Sequence, residues 1–221
     1  MKIIFRWGKS ALVVAALMVA GAANASSFTA ASDGGGIWSF GAPDTTTYGE
    51  TFNLSNQSNV QDWTYYAQSG NAGNLQFVIA SWDGTKAVGP ALYSSSSFSY
   101  GGGSQALSFS GINTILGAGS YIAYITTAGL SNAVTGVTMA GSNENGGLGG
   151  AFWFNNSNGA DPLTSGTAWS GFWLPPNLAF TANISSVSAV PLPPSIAMMF
   201  TGLGLLGFMA RRRKGITADI A

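Results

Sequence analysis

The chain of 221 residues contains neither cysteine nor histidine. Without cysteine no disulfide bond can form, so packing alone must hold any exported fold together. The two absences also exclude zinc sites built on Cys and His, and they exclude Ser-His-Asp and Cys-His catalytic machinery. Enzymes that depend on these groups are therefore ruled out.

Charged residues make up only 7% of the chain, and the cations are concentrated at its two ends. Between residues 26 and 190 the single cation Lys86 stands against seven carboxylates, a formal charge of −6. One cation cannot neutralise a phosphate backbone, so we expect no binding to nucleic acid.

The first 25 residues have the organisation of a secretory signal peptide. Three cations lie within residues 1–9, the apolar run SALVVAALMVAGAA follows, and the small residues Ala23 and Ala25 precede Ser26. We therefore predict a signal peptide over residues 1–25 that is cleaved to leave Ser26 as the first residue. The alternative is a membrane anchor, although the run is shorter than the roughly 20 residues that a spanning helix needs.

The C-terminal region predicts a single transmembrane helix. Residues 195–210 are apolar, and a stop-transfer cluster follows them. By the positive-inside rule this cluster stays in the cytoplasm together with residues 215–221, so the preceding domain is outside. The alternative is a buried amphipathic helix of the domain. The stop-transfer residues are Arg211, Arg212, Arg213 and Lys214.

The order of proline motif, apolar helix and basic cluster resembles the PEP-CTERM sorting signal of Gram-negative bacteria, in its VPLPA-type variant. The motif is Val190-Pro191-Leu192-Pro193, and Pro194 stands where the variant has alanine. The resemblance implies a sorting signal over residues 189–214 and an exosortase-like enzyme that removes the helix. The precursor would then be anchored transiently in the inner membrane before the protein reaches the cell surface or the extracellular space.

Residues 26–188 carry the alternating pattern of β-strands. In NLQFVIASW, Leu75, Phe77 and Ile79 share one face, and NLAFTANIS, QALSFSG and SYIAYITT alternate in the same way. Weaker candidates lie at GIWSF, ETFNL, DWTYYA, PALYS and GAFWFN. Roughly eight to ten short strands, with no helix before Ser195, predict an all-β sandwich or jelly roll.

A second resemblance concerns this ectodomain. The segments YGETFNL, LQFVIASWDGTKAVGPALYSS, QALSFSGINTILGAGSYIAYITTAG and GAFWFNN occur in an order similar to ectodomains common among PEP-CTERM proteins. Those ectodomains in turn resemble jelly rolls of carbohydrate-binding type. The resemblance implies a fold and an extracellular location rather than an activity.

Aromatic side chains are the main candidates for ligand contacts, because sugar rings pack on their faces. Trp153, Trp169 and Trp173 are the candidates for glycan stacking. The alternative for each of them is a place in the hydrophobic core. Several other aromatic residues could likewise either contact a ligand or fill the core. These are Trp38, Trp63, Tyr65, Tyr66, Trp82, Tyr93 and Tyr100.

Asp83 is predicted to form a tight Asp-Gly turn, with a structural calcium ion as the alternative. No catalytic or metal-binding residue is predicted, and no cofactor is expected. The sequence thus indicates a non-enzymatic surface or matrix protein associated with exopolysaccharide. The alternatives are a carbohydrate-binding module for a specific glycan and, more distantly, a glycan-active enzyme.

Overall fold

The computed structural model describes most of the chain between the predicted processing segments. The chain divides into two compact units, and the unit Ala23–Ser188 contains every strand of the described residues. The described residues are 25–43, 45–171 and 174–187, together with Met199, Gly202 and Leu203.

Most of the predicted processing residues lie outside the described part. These include Ala23, the motif Val190–Pro193, and the cluster Arg211–Lys214. Within the predicted spanning segment, Met199, Gly202 and Leu203 are described and helical. In the described residues no helix has the length and apolarity to cross a membrane. The signal peptide and the spanning helix therefore remain predictions.

The first sheet is antiparallel and is organised around its longest strand, β4. Strand β4 pairs with β15 and β11 along one edge and with β8 and β9 along the other. Strand β1 extends the sheet by pairing with β15. Strands β2 and β14 both pair with β11. In the described residues its strands are β1 (Ala25–Ala30), β2 (Gly36–Phe40), β4 (Ser58–Ser69), β8 (Gln105–Phe109), β9 (Thr114–Leu116), β11 (Val137–Ser142), β14 (Asn177–Leu178) and β15 (Phe180–Ser186).

The second sheet is also antiparallel and has the order β13-β12-β3-β10-β5-β6, with β7 paired to β5. In the described residues its strands are β3 (Thr47–Leu54), β5 (Gly73–Trp82), β6 (Ala87–Ser94), β7 (Phe98–Tyr100), β10 (Gly119–Thr126), β12 (Phe152–Asn155) and β13 (Ser170–Gly171).

The core lies between the two sheets and confirms the all-β sandwich. Leu75, Phe77 and Ile79 are buried in it, as the alternation predicted, and so are the alternate apolar residues of β15. The ring of Trp63 stacks on Phe180 at a centroid distance of 4.9 Å. Rings from the opposite sheet also approach Trp63, so this aromatic packing ties the two sheets together.

The structure contains more strands than the roughly eight to ten predicted. Fifteen strands occur in the described residues, and four of them are only two or three residues long. Such short pairings have no recognisable sequence pattern, because they depend on which strand lies alongside. Every weaker candidate segment falls on a strand, and no helix occurs in the described part before residue 188.

Candidate functional site

Two of the three predicted stacking residues meet on the outer face of the second sheet. Trp153 on β12 is partly exposed, and its ring centroid lies 5.0 Å from that of Trp82 at the end of β5. Trp169 is 6% exposed and packs edge-on against Trp82 and Tyr124. It therefore supports the other rings and has little surface for a ligand. We call Trp82, Trp153 and Trp169 the tryptophan cluster; Trp173 lies outside the described residues.

A glycine leaves space on the face of the sheet that carries the tryptophan cluster. Gly49 of β3 pairs with Trp153 on one side and with Tyr124 on the other. A Cβ atom at Gly49 would lie 2.8 Å from Cδ1 of Ile122, which real Cβ contacts essentially never show. The missing side chain thus leaves room on this face for the neighbouring large residues.

Trp38 lies apart from the tryptophan cluster, and at 76% it is more exposed than any other large apolar side chain of the described residues. Its orientation comes from an irregularity between β2 and β11. Ile37 pairs with Met139 and Phe40 with Val137, so two residues of β2 oppose one of β11. Such a bulge changes the direction of side chains. Ile37 and Phe40 both enter the core, and Trp38 is turned into solvent.

Beside Trp38 the gap between the two sheets opens into a cavity of about 300 Å³. Tyr48 and Phe152 form its wall, with their centroids 4.9 Å apart in an edge-on arrangement. Leu174 at the rim is 69% exposed. We call this site the aromatic groove. Its principal lining residues are Trp38, Thr45, Tyr48, Phe152, Phe154 and Leu174.

A buried carboxyl group lies behind the aromatic groove. Glu50 is fully buried on β3, and its Oε2 accepts a hydrogen bond of 2.8 Å from the backbone N–H of Leu178. Its Oε1 has no hydrogen-bond partner among the described residues. Burial raises the pKa of the Glu50 carboxyl well above its usual value, and the Leu178 hydrogen bond opposes this shift.

The aromatic groove lies at one end of the sandwich, and the start of β1 and the end of β15 lie at the other. Ala25 pairs with Ser185, which in turn pairs with Asn59 near the start of β4. Ser26, Ser186 and Leu54 of β3 line one cavity at that end, whereas the groove residue Tyr48 lies near the other end of β3. Six residues of extended chain span about 20 Å, which separates the groove from the predicted cleavage site.

Asp83 forms the turn that its Asp-Gly sequence predicted. Its Oδ1 accepts hydrogen bonds from the backbone N–H and the hydroxyl of Thr85, both 2.8 Å, and from the N–H of Lys86 at 2.9 Å. These hydrogen bonds, led by the Thr85 hydroxyl, lower the pKa of Asp83. In the described residues no group of three or more acidic side chains is arranged to hold a metal ion.

No protein-family model matches the chain, and no curated protein matches it. One solved structure with some similarity is the CBM36-1 domain of a multidomain xylanase from the hindgut metagenome of Trinervitermes trinervoides. The identity is 12% and the TM-score 0.29, over 55% of this chain and 100% of that one. Another is the structure of infectious bursal disease virus Gx strain, with 16% identity and a TM-score of 0.22, over 88% of this chain and 49% of that one. At these TM-scores neither similarity defines the function of this chain.

Proposed function

We propose that this chain is an exported, non-enzymatic surface or matrix protein that binds an uncharged polysaccharide in the aromatic groove. The observation that carries the proposal is Trp38, whose indole is 76% exposed beside a cavity lined by further rings. Aromatic faces supply the apolar contact that the CH groups of a sugar ring need. A concave, largely aromatic site with a few polar groups is also the usual form of a small-ligand site.

The charge of the domain favours an uncharged glycan. Lys86 is the one cation between residues 26 and 190, and it lies in the Asp83 turn rather than in the groove. Six acidic residues besides the buried Glu50 lie in the same stretch, and their carboxylates create a negative field, which repels polymers rich in uronic acid. The described lining of the groove contains no charged residue to oppose that field.

The alternative of glycan hydrolysis makes a specific demand on the groove. Glycoside hydrolysis requires two carboxyl groups on either side of the scissile bond, about 5–10 Å apart. The described lining of the groove includes no Asp or Glu, and Glu50 is enclosed in the core behind it. These features give no support to the alternative of a glycan-active enzyme.

Export and sorting complete the proposal. A signal peptide over residues 1–25 would direct the chain out, and a sorting signal over residues 189–214 would hold it in the inner membrane until an exosortase-like enzyme acts. The antiparallel pairing of β1 with β15 supports this arrangement, because both ends of the ectodomain leave the sandwich together.

Affinity gel electrophoresis of the protein in gels containing hydroxyethyl cellulose, dextran or alginate tests the binding proposal. We expect retardation by at least one neutral polymer and none by alginate. Trp38→Ala should weaken binding about tenfold or more, because loss of a stacking contact worth about 1.4 kcal/mol raises the dissociation constant tenfold. Ile115→Ala, at an apolar site on β9 that is 59% exposed, is the control and should bind normally. Equal retardation of both variants would contradict the proposal.

A further inference from the structure

The tryptophan cluster offers a second aromatic surface, separate from the groove. Trp82 and Trp153 are both partly exposed, and their ring planes meet at 53°. Trp153 and Phe154 are neighbours on β12, so their side chains point to opposite faces of the sheet. Phe154 faces the aromatic groove, and Trp153 faces outward. One strand therefore contributes to two surfaces that a single short ligand cannot cover.

A polar cavity of about 180 Å³ adjoins the cluster on the same outer face. Its lining includes Gln76, Ser94, Tyr124 and Asp161. The Trp169 ring connects the two features, since its centroid lies 5.7 Å from that of Tyr124 and 5.7 Å from that of Trp82. Apolar rings beside hydroxyl, amide and carboxylate groups match the mixed surface of a sugar, which has apolar CH faces and hydroxyl edges.

We propose that the tryptophan cluster and its polar cavity form a second binding site for the same uncharged polysaccharide. The inference rests on the proposed function of the groove. With two sites on different faces, one domain binds two polysaccharide chains and cross-links them. Linked sites of modest affinity can hold a polymer network far more strongly than either site alone. The negative charge of the domain restricts both sites to uncharged chains in the same way.

Calorimetric titration with cellohexaose and isomaltohexaose measures the number of sites directly. The full chain is used in a detergent without a sugar headgroup, because alkyl glycosides would compete for both sites. We expect two sites in the unsubstituted protein, one in Trp38→Ala, one in Trp82→Ala and none in the double variant. The unsubstituted protein should raise the viscosity of hydroxyethyl cellulose or dextran, whereas each single variant should not.

Each outcome separates the two proposals. One site that is lost in Trp38→Ala and kept in Trp82→Ala overturns the second site and leaves the groove intact. One site that is lost only in Trp82→Ala overturns the groove. No binding of either oligosaccharide or either neutral polymer overturns both. If Trp82→Ala fails to fold, Ser94→Trp tests the second site in its place. Ser94 is exposed and lines the polar cavity, so a tryptophan there fills the cavity and removes no packing. Two sites in folded Ser94→Trp would contradict the inference.

Discussion

The carboxyl group of Glu50 accepts the backbone N–H of Leu178 at 2.8 Å, and both residues are fully inaccessible to solvent. Glu50 lies on β3 of the second sheet and Leu178 on β14 of the first, so this hydrogen bond joins the two sheets. On β3, Glu50 is two residues from Tyr48, and it pairs across the strands with Phe152. A buried polar contact thus lies directly behind the wall of the aromatic groove.

The first prediction follows from the raised pKa of Glu50. The folded state favours the protonated carboxyl, so its contribution to stability is fully present below the pKa of the unfolded chain, about 4.3. That contribution is lost as pH rises through the higher pKa of the folded state. Glu50→Gln should remove this loss, because glutamine is uncharged and still presents an oxygen to Leu178.

Urea unfolding at a series of pH values measures this effect. The free energy of unfolding of Glu50→Gln should fall less steeply above pH 4.3 than that of the unsubstituted protein. Glu144→Gln, at an exposed carboxyl, is the control and should follow the unsubstituted protein. If the Glu50 variant and the parent protein keep the same pH dependence, the carboxyl does not titrate as its burial implies.

The second prediction compares two tryptophans that sequence alone does not distinguish. Trp63→Ala should cost about 3–5 kcal/mol of unfolding free energy, because its buried ring packs on Phe52, Phe77 and Phe180. Trp38→Ala should change that free energy by only about 0.5 kcal/mol, since the ring is 76% exposed. Chemical denaturation measures both. Equal losses would show that Trp38 is part of the core.

The burial of these two residues shows how far the sequence could predict the structure. The alternation of apolar and polar residues predicted correctly that Leu75 and Phe77 lie in the core, because β5 runs without interruption there. The same alternation, applied to the segment GIWSF, would put the side chains of Trp38 and Phe40 on the same face of the sheet. The extra residue in β2 separates them, and its position depends on the partner strand β11, so no local pattern reveals it.

The burial of Trp169 could not be predicted for a related reason. The segment before it folds back over the outer face of the second sheet, where the amide Nδ2 of Asn155 donates a hydrogen bond of 2.9 Å to the carbonyl of Thr167. Leu163 packs on the same face. These are tertiary contacts of a loop. The sequence indicated aromatic residues in this region without showing which of them would stay exposed.

The third prediction concerns the mature N-terminus. Cleavage after Ala25 leaves β1 with Ser26–Ala30, and each of these residues has a partner on β15. N-terminal sequencing of the exported protein should begin at Ser26. Ala25→Phe should slow cleavage, since the −1 position requires a small residue, while Ala31→Phe at an exposed site should not. A mature chain that begins well inside β1 would contradict the predicted site.

The fourth prediction concerns the proposed sorting signal. Prolines fix φ and lack the N–H that a helix needs, so we expect Pro191 and Pro193 to keep the segment before the predicted helix extended and open to an enzyme. Alanine at both positions should leave insertion intact and trap the full-length precursor in the inner membrane, as judged by fractionation and immunoblotting. Ser195→Ala is the control. A double variant that still reaches the medium without its tail would show that the segment is merely a linker.

The basic cluster should act at an earlier step than the prolines. Each of its cations costs about 3 kcal/mol at the bilayer centre, so Arg211–Lys214 should stop translocation of the chain. Deleting the cluster should therefore reduce membrane retention before cleavage. If the deletion has no effect on retention, the cluster is not the stop-transfer signal.

The central claim is that Trp38 stacks on an uncharged sugar, and fluorine NMR of 5-fluorotryptophan-labelled protein tests it most directly. The chain contains seven tryptophans, and the Trp38 signal is assigned from its loss in Trp38→Phe. On addition of cellohexaose or isomaltohexaose, whichever corresponds to the neutral polymer that retards the protein in affinity gels, the Trp38 signal should shift in a saturable manner, while the signal of buried Trp63 stays in place. An unchanged Trp38 signal at saturating hexasaccharide would contradict the account.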